Sequence, residues 1–464
     1  MRGSYSFPIG PERDGGVAMS YRLDRAARCG EDAGRPRVDA LIGRRPGMKE
    51  ISQMHLSRRH MLGGLGAAAG FMALGGAALA AGKTYRIGVT LPLTGADAEP
   101  AHLILNGILL AIDQANKAGA LPGITLEAMV LNNATTTAGE YDPAQAATNA
   151  RKLVGDPGVL VNIGPEMSGS GKAMAPILSM GMLATITPSS TSPSITDPAF
   201  AAEFDPGGKP IYFRTVTTDA YQGPDMANFY AETLRVPSSY ILDDSGAYGV
   251  GLADAFEKQA KAKGITVLGR DRLDPRADDY TAVVTKIEAS GAASLYFGGG
   301  MQAAVKLVKQ CHDIVPKIVK GGGDGILSPE MVTAAGFPAA EGWYVTSASP
   351  HLAGTPALQK WSDLYTRTYG VQPSDYSVTA YDATLVAIAA IQSVTKAGKP
   401  LTAANVRDAI QASKVEGLQG TIVFDRNGDL AQHMVTVFQF AYDPKYRATD
   451  FPHQYRYVSV APQN

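Results

Sequence analysis

The stretch "VLVNIGPEMSGSGKAMAPILSMGMLATITPSST", Val159 to Thr191, holds the unit from which the fold follows. Its opening run "VLVNIG" is short, apolar and β-branched, as a strand buried on both faces requires. A polar turn comes next, then "SGKAMAPILSMG", helical from near Ser170 and stopped by Gly181, then a second strand in "LATITPSST". Strand, helix and strand in this order read as a βαβ unit on a parallel sheet.

The glycines and serines ahead of Lys172 raise the possibility of a phosphate cradle. A P-loop needs glycine, four residues, then Gly-Lys-Ser/Thr, so that backbone N–H groups wrap the phosphates and the hydroxyl reaches magnesium. Here Gly171-Lys172 would need glycine at 166, which is Glu166, and position 173 is Ala173. Two fixed positions fail, so the nucleotide reading is dropped. The turn still directs free N–H groups at whatever lies above the strand, which suits an anion such as a carboxylate.

Working outward, the same alternation precedes and follows this unit. "TYRIGVTLPLTG" reads as a strand, "AHLILNGILLAIDQANKAG" as a helix ended by Gly119, and "ITLEAMVLNN" as the next strand. From "IYFRTVTTDAYQGP" onward a second α/β series runs through "SYILDDSGAYGVGLADAF", "ASLYFGGG" and "GGGDG" to "GWYVTSASP". A helical section and an expected hairpin, "GTIVFDRNGDLAQHMVTVFQF", close the chain. Two Rossmann-like α/β lobes with parallel central sheets are predicted, sharing a cleft because no Pro-, Gly- or Ser-rich linker separates them.

The 464 residues are 45% hydrophobic and 18% charged, an ordinary globular balance. Residues 1–53 differ: they are rich in arginine and lack periodicity, and they are expected to be a non-native or disordered extension, with Met48 or Met54 as the true start. Residues 54–81 carry Arg58-Arg59, an apolar run from Met61 to Leu79 and Ala78-Leu79-Ala80, the pattern of a twin-arginine signal peptide. Without residues 1–82, which hold 12 Lys and Arg and 7 Asp and Glu, 30 basic and 36 acidic residues remain, a net charge of −6. That balance gives no basic surface for nucleic acid or anionic lipid.

Cys29 leaves with the leader, so Cys311 is alone and reads as a buried inert thiol. The remaining histidines, 102, 312, 351, 433 and 453, have no metal-ligand spacing. "DRNGD" at 425–429 imitates a calcium loop, but its sixth and twelfth positions are Leu430 and Thr436. No cofactor or metal is expected. The loops after the strands hold hydroxyls, glycines, acidic groups and one tyrosine, with no histidine, an inventory suited to binding a small polar ligand and poor for proton transfer.

At these loops the sequence resembles the periplasmic solute-binding proteins of ABC importers, of the branched-chain amino-acid, leucine-binding-protein-like (type I) family. The resemblance runs from about Tyr85 to about Phe440, through "IGVTLPLTG", the Ser168 turn, "ITPSSTSP", "YFRTVTTDAYQGP", "AYGVGLADAF", "YFGG", "GGDG" and "EGWYVT". It implies two lobes, 83–217 plus 349–433 and 218–348 plus 434–464, with crossings near Thr217, Ala348 and Met434. It further implies that Ser168, Ser190 and Thr191 hold a ligand carboxylate, that the carbonyl near Ser189 and the carboxylate of Asp324 take its ammonium group, and that Tyr248 packs across the cleft. Glu166, Met167 and Gly300 would border the ligand's side chain.

Three positions depart from the family pattern. Glu166 stands where an apolar residue is usual, while Gly300 and Pro100 stand where aromatics are frequent, so a branched aliphatic ligand does not follow. The disulfide that often reaches the first turn is missing at both ends, Thr135 and Met167.

The function implied is a non-enzymatic, periplasmic, monomeric binding protein that hands an amino acid or related carboxylate to an ABC permease by hinge closure. Amine-free ligands, such as aromatic acids or amides, are one alternative, and a sensor presenting its closed form to a receptor is another. A serine-dependent amidase using Ser168 is a third, but the Gly-x-Ser-x-Gly elbow is missing and only Lys172 lies near as a base. Taken singly, Ser168 and Thr191 could be turn residues, Asp324 could cap the segment leading to "SPEMVTAAG", and Glu166 could be solvated.

Overall fold

The computed structural model describes residues 82–351 and 355–463, and the expected extension and signal peptide lie outside them. Strands β1 (Lys83–Leu91), β2 (Ile124–Asn132), β3 (Val159–Ile163), β4 (Thr185–Thr187) and β5 (Tyr212–Arg214) form one parallel sheet, in the order β2-β1-β3-β4-β5. A second sheet begins with β6 (Ser238–Asp243), β7 (Thr266–Arg272), β8 (Ser294–Gly298), β9 (Val319–Gly322) and β10 (Tyr344–Ser347), again parallel and ordered β7-β6-β8-β9-β10. In both sheets the chain reverses its direction of travel between the first strand and the third. Loops leaving the carboxyl ends there diverge, which opens a crevice for a ligand.

Each sheet is covered on both faces, which is why its strands read as continuous apolar runs. One face of the first sheet buries Ile87, Val89, Val161 and Ile186 against Val386 and Ile391 of the helix Asp375–Lys396. The other face packs with Leu153, Met174 and Leu178. In the second sheet Leu242, Phe297 and Val345 meet Leu307 and Trp343, while Ile241 and Tyr296 meet Phe229 and Phe256 on the far side. Cys311 is fully buried in this core, and burial pushes its thiol up to about 12.

The C-terminal part corrects the expected hairpin. Residues 420–440 do make an Asn427-Gly428 turn, with Gly428 at φ +99° and Asp425 N donating to Asp429 O at 2.8 Å. Phe424 and Leu430 bridge antiparallel beside that turn, as a hairpin requires, but the longer strands beyond them part company. β11 (Lys414–Gly417) and β12 (Gly420–Val423) pair with each other, whereas β13 (Thr436–Phe440) and β14 (Tyr455–Val460) add antiparallel to the β10 edge. The second sheet is therefore mixed, and the two strands cover an edge that would otherwise stay open.

The chain passes between the sheets after β5, after β10 and before β13, and these three segments touch. Thr217 N donates to Ala348 O at 2.9 Å, and Thr217 Oγ1 lies 3.4 Å from His433 Nδ1. His433 stacks on Tyr221 with ring centroids 3.8 Å apart, beside Met434.

Candidate functional site

A cavity of about 60 Å³ lies where the carboxyl ends of the two sheets meet. From the first sheet's loops come Asp97 after β1, Glu166, Met167 and Ser168 after β3, and Ser189 and Thr191 after β4. The loops of the second contribute Tyr248 after β6, Met301 after β8, and Asp324 and Ser328 after β9, and Tyr376 comes from the first turn of Asp375–Lys396. This volume is under half of the roughly 150 Å³ that admits a benzene ring.

The hydroxyl side is rigid. Thr187, the last residue of β4, donates its hydroxyl to Pro165 O at 2.7 Å and accepts from Ser190 N at 2.9 Å, which ties the turn after β3 to the turn after β4. Ser168 begins the helix Ser168–Met180, two residues earlier than the sequence spacing suggests. Its Oγ accepts from Ser192 N at 3.2 Å and from Ser190 Oγ at 3.3 Å, and neither is a base that could activate it. The Thr191 hydroxyl is buried and has no hydrogen bond of good geometry among the described residues.

Behind this turn stands a residue that sequence reading missed. Arg214 on β5 is completely buried and donates to Ser190 O at 2.6 Å, to Ser192 O at 2.7 Å and, through Nε, to Asp429 Oδ1 at 2.7 Å. Its fork holds the two carbonyls flanking Thr191, a bidentate geometry that lysine cannot reproduce.

The acidic side is built around Asp324. Tyr248 Oη donates to its Oδ1 at 2.5 Å, Gln222 Nε2 does so at 3.2 Å, and the Tyr376 hydroxyl takes Oδ2. Gln222 also donates to Asp219 Oδ1 at 2.9 Å. Asp324 thus turns to the cavity and to the tyrosines instead of capping the segment after it. The glycines of "GGGDG" are what lets Tyr248 lie there: a Cβ at Gly323 would come within 2.3 Å of its Oη, and one at Gly325 within 2.8 Å of its ring. Tyr376 is placed by a capping box, in which Ser374 Oγ accepts from Ser377 N at 3.2 Å and Ser374 N donates to Ser377 Oγ at 3.0 Å. The Ser-x-x-Ser pattern ahead of an apolar helix was the signal in the sequence that could have found it.

The residues singled out from sequence do not all reach the cavity. Ser168, Ser189, Thr191, Tyr248, Asp324, Glu166 and Met167 line it. Ser190 is behind the wall, bonded to Ser168 Oγ. Gly300 also stays out, and its N caps the neighbouring loop by donating to Asp244 Oδ2 at 2.8 Å, so Met301 takes the lining position. Glu166 is 6% exposed, which overturns a solvated role for it.

Burial raises the carboxyls around this site. Asp97 moves up to about 6 and Asp219 to about 8, the latter with added repulsion from Asp324; Glu140 reaches about 8, with Asp97 and Asp244 adding to its burial. Each holds its proton more tightly in the folded chain than in the unfolded one, where carboxyls titrate near about 4. Their effect is nil below that pH and becomes destabilising as pH rises towards about 8, because only the unfolded chain ionises freely. Burial also pushes His351 and His433 down, which acts in the opposite sense below about pH 6.5. The thermal midpoint of the ligand-free protein is therefore expected to fall between about pH 6.5 and 8 in calorimetry. A midpoint rising across that window would contradict the burial of Asp219 and Glu140.

Two doubly wound α/β halves, meeting at a small cavity over their strand carboxyl ends, define a type I periplasmic-binding-protein fold. The profile of the family described as "Periplasmic binding protein" matches residues 84–445, and the chain belongs to that family. The chain is 31% identical over 371 residues to Leu/Ile/Val-binding protein homolog 3 of Brucella melitensis, covering 80% of this chain and 95% of the relative. Among solved structures it is similar to the leucine binding protein LivK of Thermotoga maritima, with a TM-score of 0.68 at 23% identity, over 81% of this chain and 98% of that one. A solute binding protein of an ABC transporter from R. palustris, in complex with benzoate, has the same TM-score at 17% identity, over 82% of this chain and 97% of that one.

Proposed function

We propose that the protein is the periplasmic solute-binding component of an ABC importer, exported by the twin-arginine signal in residues 54–81 and acting as a monomer. It binds a small amino acid between lobes 83–217 plus 349–433 and 218–348 plus 434–464, which close about the crossings at Thr217, Ala348 and Met434, and it delivers that ligand to an inner-membrane permease. Supporting this is one arrangement above all: the Ser168 and Thr191 hydroxyls line the same cavity as Asp324, so opposite ends of a zwitterion find opposite chemistry. The names of relatives at about 30% identity, which are Leu/Ile/Val-binding proteins, agree in ligand class.

A carboxylate at Ser168 and Thr191 would gain charge-assisted hydrogen bonds worth about 1.5–3 kcal/mol each. Ser168→Ala and Thr191→Val are each expected to weaken the ligand about tenfold or more in calorimetric titration, and Ser168→Ala also costs about 1–3 kcal/mol of stability because Ser192 N loses its acceptor. Unchanged affinity in both variants would remove the clamp. The ligand itself is found by a thermal-shift screen of amino acids, aromatic acids and amides.

One observation favours a second reading. Asp324 is already served by Tyr248, Tyr376 and Gln222 and does not require an ammonium group, which suits an amine-free carboxylate. Stabilisation by such acids, and by no amino acid, would decide for it.

A further inference from the structure

Beyond bordering the ligand's side chain, Glu166 has no role in either reading, and its surroundings ask for one. It follows β3, lines the cavity and is 6% exposed, and its Oε2 is buried with no hydrogen-bond partner among the described residues. Ser189 Oγ holds its backbone carbonyl at 3.3 Å, so the side chain leaves from a fixed turn. An acceptor in that state is costly unless something supplies the missing donor.

Asp97 lines the same cavity, 3% exposed, with Tyr141 N donating to its Oδ2 at 3.0 Å. From the second sheet's side Ser328 reaches the cavity and gives its hydroxyl to Glu330. No Lys, Arg or His is among the lining residues. One α-ammonium group would answer Asp324 and leave Glu166 and Asp97 without a cationic partner. Among the described residues no three His, Cys, Asp or Glu side chains are grouped to hold a metal ion, so these acids suit an organic cation better than an inorganic one.

We propose that the ligand carries a second cationic group, as a diamino acid of the lysine or ornithine type does, and that this group sits between Glu166 and Asp97. The inference rests on the amino-acid reading above. Burial holds the Glu166 carboxyl well above its usual range, with Asp97, Glu330 and Asp324 adding to it, so it ionises when a cation arrives and releases a proton.

The test is calorimetric titration of the protein with L-lysine, L-ornithine and L-norleucine, which keeps lysine's length without its terminal amine, in buffers of different ionisation enthalpy. Lysine or ornithine is expected to bind at least about tenfold tighter than norleucine, with proton release, and Glu166→Gln is expected to cut that preference to about threefold or less. Norleucine binding as tightly as lysine to the unsubstituted protein overturns the inference and leaves the amino-acid reading standing, and this holds even if Glu166→Gln fails to fold. A preference that survives both Glu166→Gln and Asp97→Asn also overturns it. If amine-free acids bind and no α-amino acid does, the amino-acid reading fails and the inference with it.

Discussion

Asp324→Asn is expected to weaken binding of an α-amino acid by at least about thirtyfold, since losing one member of a buried, hydrogen-bonded charge pair costs about 2–5 kcal/mol. The ligand-free protein should not lose stability in parallel. The new side-chain amide would keep an acceptor for Tyr248 and Gln222, and the substitution would remove one of two buried carboxyls that share Gln222 and repel each other. Calorimetric titration and thermal denaturation of the same sample separate the two effects. Should affinity for the natural ligand survive the substitution, no ammonium group faces Asp324 and the amine-free reading gains.

The second large effect is expected at Arg214, where the fold and the site share one side chain. Arg214→Met leaves Ser190 O and Ser192 O without their donor and Asp429 without its ion pair. Breaking a buried pair in this way costs about 3–5 kcal/mol. Because the Asp429 side chain is 20% exposed and can recover water, the lower end, about 3 kcal/mol, is the better expectation. Denaturant unfolding measures it. Binding should weaken as well, because Thr191 sits between the two released carbonyls, and Arg214→Lys should recover only part of either loss. A variant that is destabilised yet binds ligand with unchanged affinity would show that Arg214 holds the fold without positioning the turn.

Much of this architecture was legible locally. Strands buried on both faces read as apolar β-branched runs, helices as periodic segments stopped by glycine, and the polar loops between them as one family of carboxyl-end turns. Ser168, Ser189, Thr191, Tyr248 and Asp324 are named through the family resemblance, and the alternation by itself says only that each lies in a polar loop or turn following a strand. The failures also have local causes. The Asn427-Gly428 turn looked like a hairpin because its flanks alternate as paired strands do, yet turn chemistry says nothing about which edge each strand will meet. Gly300 and Met301 are adjacent in sequence, and only the start of a helix decides which of them faces the cavity.

What the order of residues determined was therefore everything set within one strand, helix or turn, where φ, ψ and side-chain period repeat over a few positions. Contacts that join separate loops belonged to the tertiary structure: Gln222 and Tyr376 on Asp324, 102 and 52 residues away, and Arg214 on Ser190, 24 residues away. The burial of Glu166 and Asp97 in one cavity belongs with them. Such contacts depend on how two sheets close on each other, and the same closure removes the water that would have left those carboxyls ordinary.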